Sequence, residues 1–174
     1  MPPDGTRSPV GRTKTLPDDR ARRFTAAIFS CSNLGYGYFN AYSHAANSDC
    51  DLAIHLGDYI YEYGPDNYPV AAKAVDRRIP LPLKEIIVLA DYRLRYASYR
   101  SDPDLAALHM AMPMIVQRDD HESANDTWEG GAENHQPVDG DWSTRKAAAL
   151  QAWHEWMPVG EEPWKAYDIG RLAT

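Results

Sequence analysis

The chain has 174 residues, 18 of them Lys or Arg and 25 Asp or Glu, so its formal net charge is −7. Apolar residues make up 44% and charged residues 25% of the chain, a balance that is typical of a folded domain and excludes general disorder. We expect no membrane span, because no apolar run approaches the roughly 18 residues that one needs. The net acidity argues against non-specific nucleic-acid binding, and two cysteines cannot form a disulfide scaffold.

The N-terminal segment differs in composition from the residues that follow it. Residues 1–23 carry six basic and three acidic side chains and are rich in Pro and Gly. This composition predicts a linker, or the end of a missing N-terminal domain, over 1–22, followed by one domain over 23–174. The next apolar stretch is shorter than the roughly 7–15 residues of a signal-peptide core, so we expect no export signal and leave the compartment open.

Apolar runs and helical periodicities then alternate along the chain. We expect strands over 24–31, 52–56 and 114–116, and helices over 38–46, 83–99, 102–112 and 142–157. A further strand is expected to begin at 167–169. The alternation of strands and helices predicts an α/β fold with a largely parallel sheet.

Polar side chains follow each of the three strands. Cys31 comes after the first strand, Asp58 after the second, and Asp119 and Asp120 after the third. In parallel sheets, function gathers beyond the carboxyl ends of the strands. Three separate elements therefore bring side chains that can bind metals to one edge of the sheet.

The second strand ends in Gly57-Asp58, and Tyr61 follows three residues later. A carboxylate at this place points away from the sheet edge, where it can bridge two cations. Tyr61 can supply a phenolate, which a hard ferric ion stabilises. The alternative is that Asp58 caps the following turn and that the tyrosines only pack.

The third strand leads into an acidic segment. Residues 119–141 hold eight acidic side chains and no Lys or Arg, and Asp119 to Glu122 would repel one another unless a cation or a basic partner were near. Carboxylate oxygens and the Asn125 amide suit calcium, whereas His121 suits iron or zinc. Two alternatives stay open: a solvated acidic loop, or a helix N-terminus whose dipole favours acidic residues.

Three other residues have less specific interpretations. Cys31 could be a thiolate ligand or a small buried apolar residue. His55, which lies in the second strand, is predicted to pack in the core. Arg145 could face an anion, but its place near the start of the last helix favours the surface.

Taken together, the motifs resemble a known family. In chain order they are FSCSN, HLGDYIYEYG, LADYRLRYASYRSDPDLAALH, DDHESANDTW, GAENH and AAALQAWHEWMPV. This ordered set is similar to the PhoD-like alkaline phosphatases, a family of metallophosphoesterases, over about residues 8–174. The resemblance implies a metallophosphatase-type β-sandwich flanked by helices, of which this chain would be the truncated first half.

The resemblance also implies an activity and a site. Members of the family hydrolyse phosphate mono- and diesters with Fe³⁺ and Ca²⁺, and they are exported to the periplasm or the extracellular space. Carried over by motif, Cys31, Asp58 and Tyr61 fall at iron-ligand positions, Asp58 also reaches calcium, and Asn125 falls at a calcium position. Asp120 and His121 take the place of Asn-His in the Gly-Asn-His-Glu motif of the wider superfamily, which makes them candidate catalytic residues.

Two features depart from the family pattern. Arg118 stands where the family usually has an aromatic residue, and no late Gly-Asp-x-His motif follows Asp126. A sandwich with half of its strands would leave a sheet edge exposed. The alternative to a phosphate-ester hydrolase is therefore an inactive remnant that binds a metal or self-associates through that edge.

Overall fold

A computed structural model describes residues 7–65, 74–75, 77–157, 159–160 and 165–172. Within these ranges the strands are β1 (Ala26–Phe29), β2 (Leu52–His55) and β3 (Met114–Val116). The helices are α1 (Asn40–Ala46), α2 (Leu89–Arg100), α3 (Pro103–Ala111) and α4 (Trp142–Trp156), and a 3-10 turn covers Pro137–Asp139.

The three strands form a parallel sheet in the order β1-β2-β3. Parallel neighbours need crossover connections; α1 lies in the first, and α2 and α3 lie in the second. The carboxyl ends of all three strands therefore meet at one edge. This arrangement confirms the predicted α/β fold with a parallel sheet, and the described residues supply one sheet of it.

The two faces of the sheet differ in what covers them. Ala27, Phe29, Ala53, Met114 and Val116 point into the main hydrophobic core, which α1 to α4 complete. Successive strand residues point to opposite faces, so the intervening residues form a second row, in which β1, β2 and β3 place Ile28, Ile54 and Ile115 side by side. Ile28 is 63% exposed, and self-association through an exposed sheet edge stays a prediction.

Side-chain caps explain where two helices begin. The Asp102 carboxylate accepts hydrogen bonds from the N–H groups of Asp104 and Leu105, with Pro103 in the first turn of α3. Asp141 caps α4 through the N–H of Thr144. Capping carboxylates satisfy amide groups that have no partner within a helix, and both helices match their predictions to within a residue at each end.

The prediction of a helix over 83–99 was wrong in its first part, since α2 begins only at Leu89. The buried Arg95 guanidinium takes the carbonyls of Leu81, Pro82 and Lys84 as hydrogen-bond acceptors. These carbonyls therefore accept hydrogen bonds from a side chain and not from the backbone N–H groups of a helical turn. Residues 167–169 add no strand to the sheet in the described part of the chain.

The segment before β1 contacts α3 and the residue that precedes β2. The N–H of Arg12 donates to the Met110 carbonyl at 2.8 Å, and Lys14 pairs with Asp51 at 2.9 Å. A cavity of about 370 Å³ lies between this segment and the amino ends of the strands, at the edge opposite the acidic motifs. None of the described helices has the length and apolar character needed to cross a membrane.

Candidate metal centre

The ends of β1 and β2 form two adjoining turns at the carboxyl edge of the sheet. Cys31 and Asp58 both have left-handed backbones, with φ of 55° and 54°. The N–H of Cys31 donates to the Gly57 carbonyl at 3.1 Å, and the N–H of Ser32 donates to the Asp58 carbonyl at 3.0 Å. These two backbone hydrogen bonds hold the turns side by side.

Gly57 lets the end of β3 approach the same place. Its φ is 116°, and a Cβ added there would lie 2.5 Å from the Cβ of Asp119. A side chain at this position would therefore force β2 and the acidic segment apart. Glycine at position 57 is needed both for the backbone conformation and for this close approach.

Three metal-capable side chains come together at this edge. One ligand atom from each of Asp58, Asp120 and His121 lies within 4.8 Å of the others. Asp58 is buried, and its Oδ1 atom has no hydrogen-bond partner among the described residues. Burial raises the pKa of Asp58; the charge of His121 and a hydrogen bond from Cys31 oppose this rise, and the charges of Asp120 and Asp119 add to it. A buried carboxylate oxygen without a partner is costly, and a bound cation would remove that cost.

Tyr61 and Cys31 border Asp58. The Tyr61 hydroxyl donates to Oδ2 of Asp58 at 3.2 Å. Cys31 is exposed, so its interpretation as a small buried apolar residue was wrong. A hydrogen bond with Ser30 favours its thiolate, but partial desolvation and the neighbouring Asp58 carboxylate outweigh it and raise the pKa of the thiol. A cavity of about 480 Å³ opens beside Cys31 and Tyr61, and its wall includes Tyr36 and Tyr38.

His121 is oriented by a fully buried carboxylate. Nδ1 of His121 donates to Glu62 Oε2 at 2.7 Å, and the Tyr61 ring lies against the imidazole with centroids 4.3 Å apart. Burial disfavours the imidazolium, but the hydrogen bond and charge of Glu62 outweigh burial and raise the pKa of His121. A carboxylate on one ring nitrogen is the usual way in which proteins orient histidine ligands of metals.

Glu62 also anchors the loop that follows His121. Its Oε1 accepts the N–H of Asn125 at 2.7 Å and the side-chain amide of Asn134 at 2.8 Å. The Asn125 side-chain amide donates to Glu133. The described contacts thus connect Asn125 to the site through its backbone, and its predicted role as a calcium ligand stays a prediction.

Glu122 joins the ends of β2 and β3. It is 1% exposed and accepts the backbone N–H groups of Asp58 at 3.4 Å, Tyr59 at 2.5 Å and Asp119 at 2.7 Å. Burial raises its pKa to about 7, although the three N–H groups favour the carboxylate. Neither Glu62 nor Glu122 was predicted as a site residue, and the only signal for either was its place within a motif.

The interpretation of Arg145 as a surface residue was wrong. It is 1% exposed and donates to Glu85 at 2.8 Å and to the Tyr92 hydroxyl at 3.2 Å. Its guanidinium also donates to the Asn134 carbonyl at 3.3 Å. Arg145 therefore connects α4 to the loop that Glu62 anchors, and its buried charge is compensated by Glu85.

The donor set fits cations of more than one kind. Carboxylates and a phenol are hard oxygen donors, which suit calcium and ferric iron, whereas imidazole and thiol groups suit transition metals. Several carboxylates crowd this edge, so a cation would relieve their repulsion. Fold and site together define an α/β protein with a candidate cation site at the carboxyl edge of a parallel sheet.

Comparisons with known proteins agree with an α/β protein of this kind and indicate the family to which it belongs. The sequence model of the PhoD-like phosphatase family matches residues 26–174, so the chain belongs to this family. It is 47% identical over 154 residues to alkaline phosphatase D of Bacillus subtilis (strain 168), an alignment that covers 87% of this chain and 26% of that protein.

A solved structure shares the fold. The structure described as that of PhoD superimposes with a TM-score of 0.78 at 44% sequence identity, covering 88% of this chain and 29% of the other. The chain thus spans about a quarter of the length of the curated relative it matches.

Proposed function

We propose that this chain carries part of a metal-dependent phosphoesterase site that hydrolyses phosphate mono- and diesters. The observation that carries the proposal is the group of Asp58, Asp120 and His121, in which a buried Asp58 oxygen has no partner among the described residues. Membership of the PhoD-like phosphatase family supports the reaction class.

Under this proposal the strand-end residues hold the cations. Fe³⁺ would be held by Cys31, Asp58 and Tyr61, and Ca²⁺ by Asp58 and Asn125. When bound, such cations neutralise the acidic edge so that a phosphate ester can approach, and they lower the pKa of water so that it attacks phosphorus near neutral pH.

The chain's own residues would then position the substrate and move protons. Asp120 and His121 face the reacting group, and Glu62 keeps the His121 ring in one orientation from which it exchanges a proton with an ester oxygen. The cavity beside Cys31 and Tyr61 accommodates the alcohol portion of the ester.

The short span of the match favours a second candidate function. Because the chain covers 26% of the B. subtilis protein, groups that complete the site in a relative can lie outside the matched part. The chain would then bind metal without turnover.

Metal titration and turnover, measured in parallel, test both candidates. Asp58→Asn is the suitable variant because asparagine tolerates a left-handed backbone, and Asp49→Ala, at an exposed position before β2, is the control. We expect Asp58→Asn to lose Fe³⁺ and Ca²⁺ binding and the release of phosphate from an aryl phosphate, whereas Asp49→Ala keeps both.

The outcomes separate the candidates. Metal binding by the unaltered chain without turnover supports the second candidate. Turnover that persists unchanged in Asp58→Asn contradicts the assignment of the site.

A further inference from the structure

Three neutral side chains form a hydrogen-bonded triangle behind the candidate metal centre. Oη of Tyr42 lies 2.5 Å from Oγ of Ser32 and 3.0 Å from Nε2 of His55, and Ser32 Oγ lies 3.3 Å from the same nitrogen. Tyr42 and His55 are buried. No metal-ligand candidate belongs to the triangle, so the proposed reaction gives it no role.

The hydrogen bonds of the triangle have a consistent direction. The N–H of Gly57 donates to Nδ1 of His55 at 3.4 Å, which leaves Nε2 as the donor of a neutral ring. Nε2–H then donates to Tyr42, the Tyr42 hydroxyl donates to Ser32, and the Ser32 hydroxyl donates to the Ser30 carbonyl at 3.5 Å. Every group on the path from Gly57 to Ser30 is thereby satisfied.

This path joins the two turns that carry Cys31 and Asp58. One end is the Gly57 amide, next to Asp58, and the other end is the Ser30 carbonyl, next to Cys31. Left-handed backbones at non-glycine residues persist only where surrounding contacts hold them. Two backbone hydrogen bonds connect the turns on the site side, and the triangle supplies the support from the core side.

We propose that His55, Tyr42 and Ser32 are positioning residues that fix the Cys31 turn against the Asp58 turn. The proposal rests on the proposed function, because the purpose of this placement is a pair of metal ligands at a set separation. Contacts of this kind behind metal ligands typically change metal affinity by 10–100-fold when they are removed.

Tyr42→Phe tests the inference with a matched control. It removes the hydroxyl and keeps the aromatic ring, which packs edge-on against Phe29 and Phe39. Tyr96→Phe is the same change at an equally buried tyrosine, whose hydroxyl has no hydrogen-bond partner among the described residues.

Two readouts are needed, one of them free of metal. Amide hydrogen exchange by NMR reports whether Cys31 and Ser32 still donate to Gly57 and Asp58. We expect exchange at these two amides to rise about tenfold in Tyr42→Phe, with the Ile54 amide in β2 unchanged. Iron(III) affinity, measured by competition with citrate, should fall at least tenfold. Tyr96→Phe should change neither.

The outcomes distinguish this inference from the proposed function. If the unaltered chain binds neither Fe³⁺ nor Ca²⁺, the proposed function fails, and the exchange comparison still decides whether the triangle fixes the two turns. Unchanged exchange at Cys31 and Ser32 overturns the inference. Equal iron affinity in Tyr42→Phe and Tyr96→Phe would also overturn the inference, since the triangle would then contribute to stability alone.

Discussion

Two junctions hold the candidate site together, and they use different chemistry. The β1–β2 junction is built from backbone hydrogen bonds and the neutral groups of Ser32, Tyr42 and His55. At the β2–β3 junction, the buried Glu122 carboxylate gathers the amide groups of Asp58, Tyr59 and Asp119. Asp58 belongs to both.

The two junctions differ in whether their protonation changes near neutral pH. Burial lowers the pKa of His55 to about 4, so the first junction keeps one protonation state at neutral pH. At the second junction the Glu122 carboxylate, whose pKa burial raises to about 7, lies beside Asp58, and a cation there would relieve the repulsion between the carboxylates. Asp58 is therefore held by groups of constant charge at the first junction and lies beside a titrating carboxylate at the second.

The largest expected effect is the pH dependence that Glu122 confers on stability. Its pKa is about 7 in the folded chain against an ordinary 4.5, so between these values the folded state binds more protons than the unfolded state. The contribution is complete below pH 4.5 and is lost as pH rises through 7. With about 1.4 kcal/mol per pKa unit, the loss is at most about 3.5 kcal/mol.

Urea unfolding of the metal-free chain and of Glu122→Gln from pH 4.5 to 8 measures this effect. Glutamine does not titrate, and the other titrating groups are common to both proteins. The free energy of unfolding of the unaltered chain should therefore fall relative to the variant as pH rises. A difference that stays constant with pH would show that Glu122 does not make the second junction responsive.

A smaller effect is expected at His121. Glu62→Gln removes the charge that holds the His121 pKa up, so this pKa should fall, as followed by the imidazole proton shifts in an NMR titration. His55 serves as the internal control, because burial rather than a charged partner sets its pKa. Equal shifts at both histidines would mean that the two junctions are electrostatically alike.

The smallest expected effect is a difference in the free energy of unfolding between the Tyr42→Phe and Tyr96→Phe variants. Tyr42→Phe should lower the free energy of unfolding by about 1 kcal/mol, since the partners of its hydroxyl are left unsatisfied. Tyr96→Phe should be neutral or slightly stabilising, because that hydroxyl has no partner among the described residues. Chemical denaturation at pH 7 measures both, and equal costs would argue against a specific network at the first junction.

The local patterns of the sequence predicted much of the fold. The bounds of β3 agree with the structure, those of β2 differ by one residue, and α3 and α4 were placed through Asp102 and Pro158 as start and stop signals. The start of α2 was missed because the carbonyls before it bind Arg95, a side chain from the middle of the same helix. A side chain that binds backbone carbonyls in this way leaves no periodic pattern in the sequence, so the pattern of apolar residues could not predict it.

By itself, the sequence determined which side chains end the strands, and therefore that Cys31, Asp58 and the Asp119-Asp120 pair would share one edge. Strand direction and chain order suffice for that conclusion, because the carboxyl ends of parallel strands must meet. Only the tertiary structure decided which groups are buried behind them. Glu122 was expected only as part of an acidic segment, Glu62 had no predicted role, and Arg145 was predicted to lie on the surface. The burial of all three depends on partners that lie 53 to 64 residues away. The desolvation that raises the pKa of Glu122, and the structural roles of all three residues, arise only once those distant segments pack together.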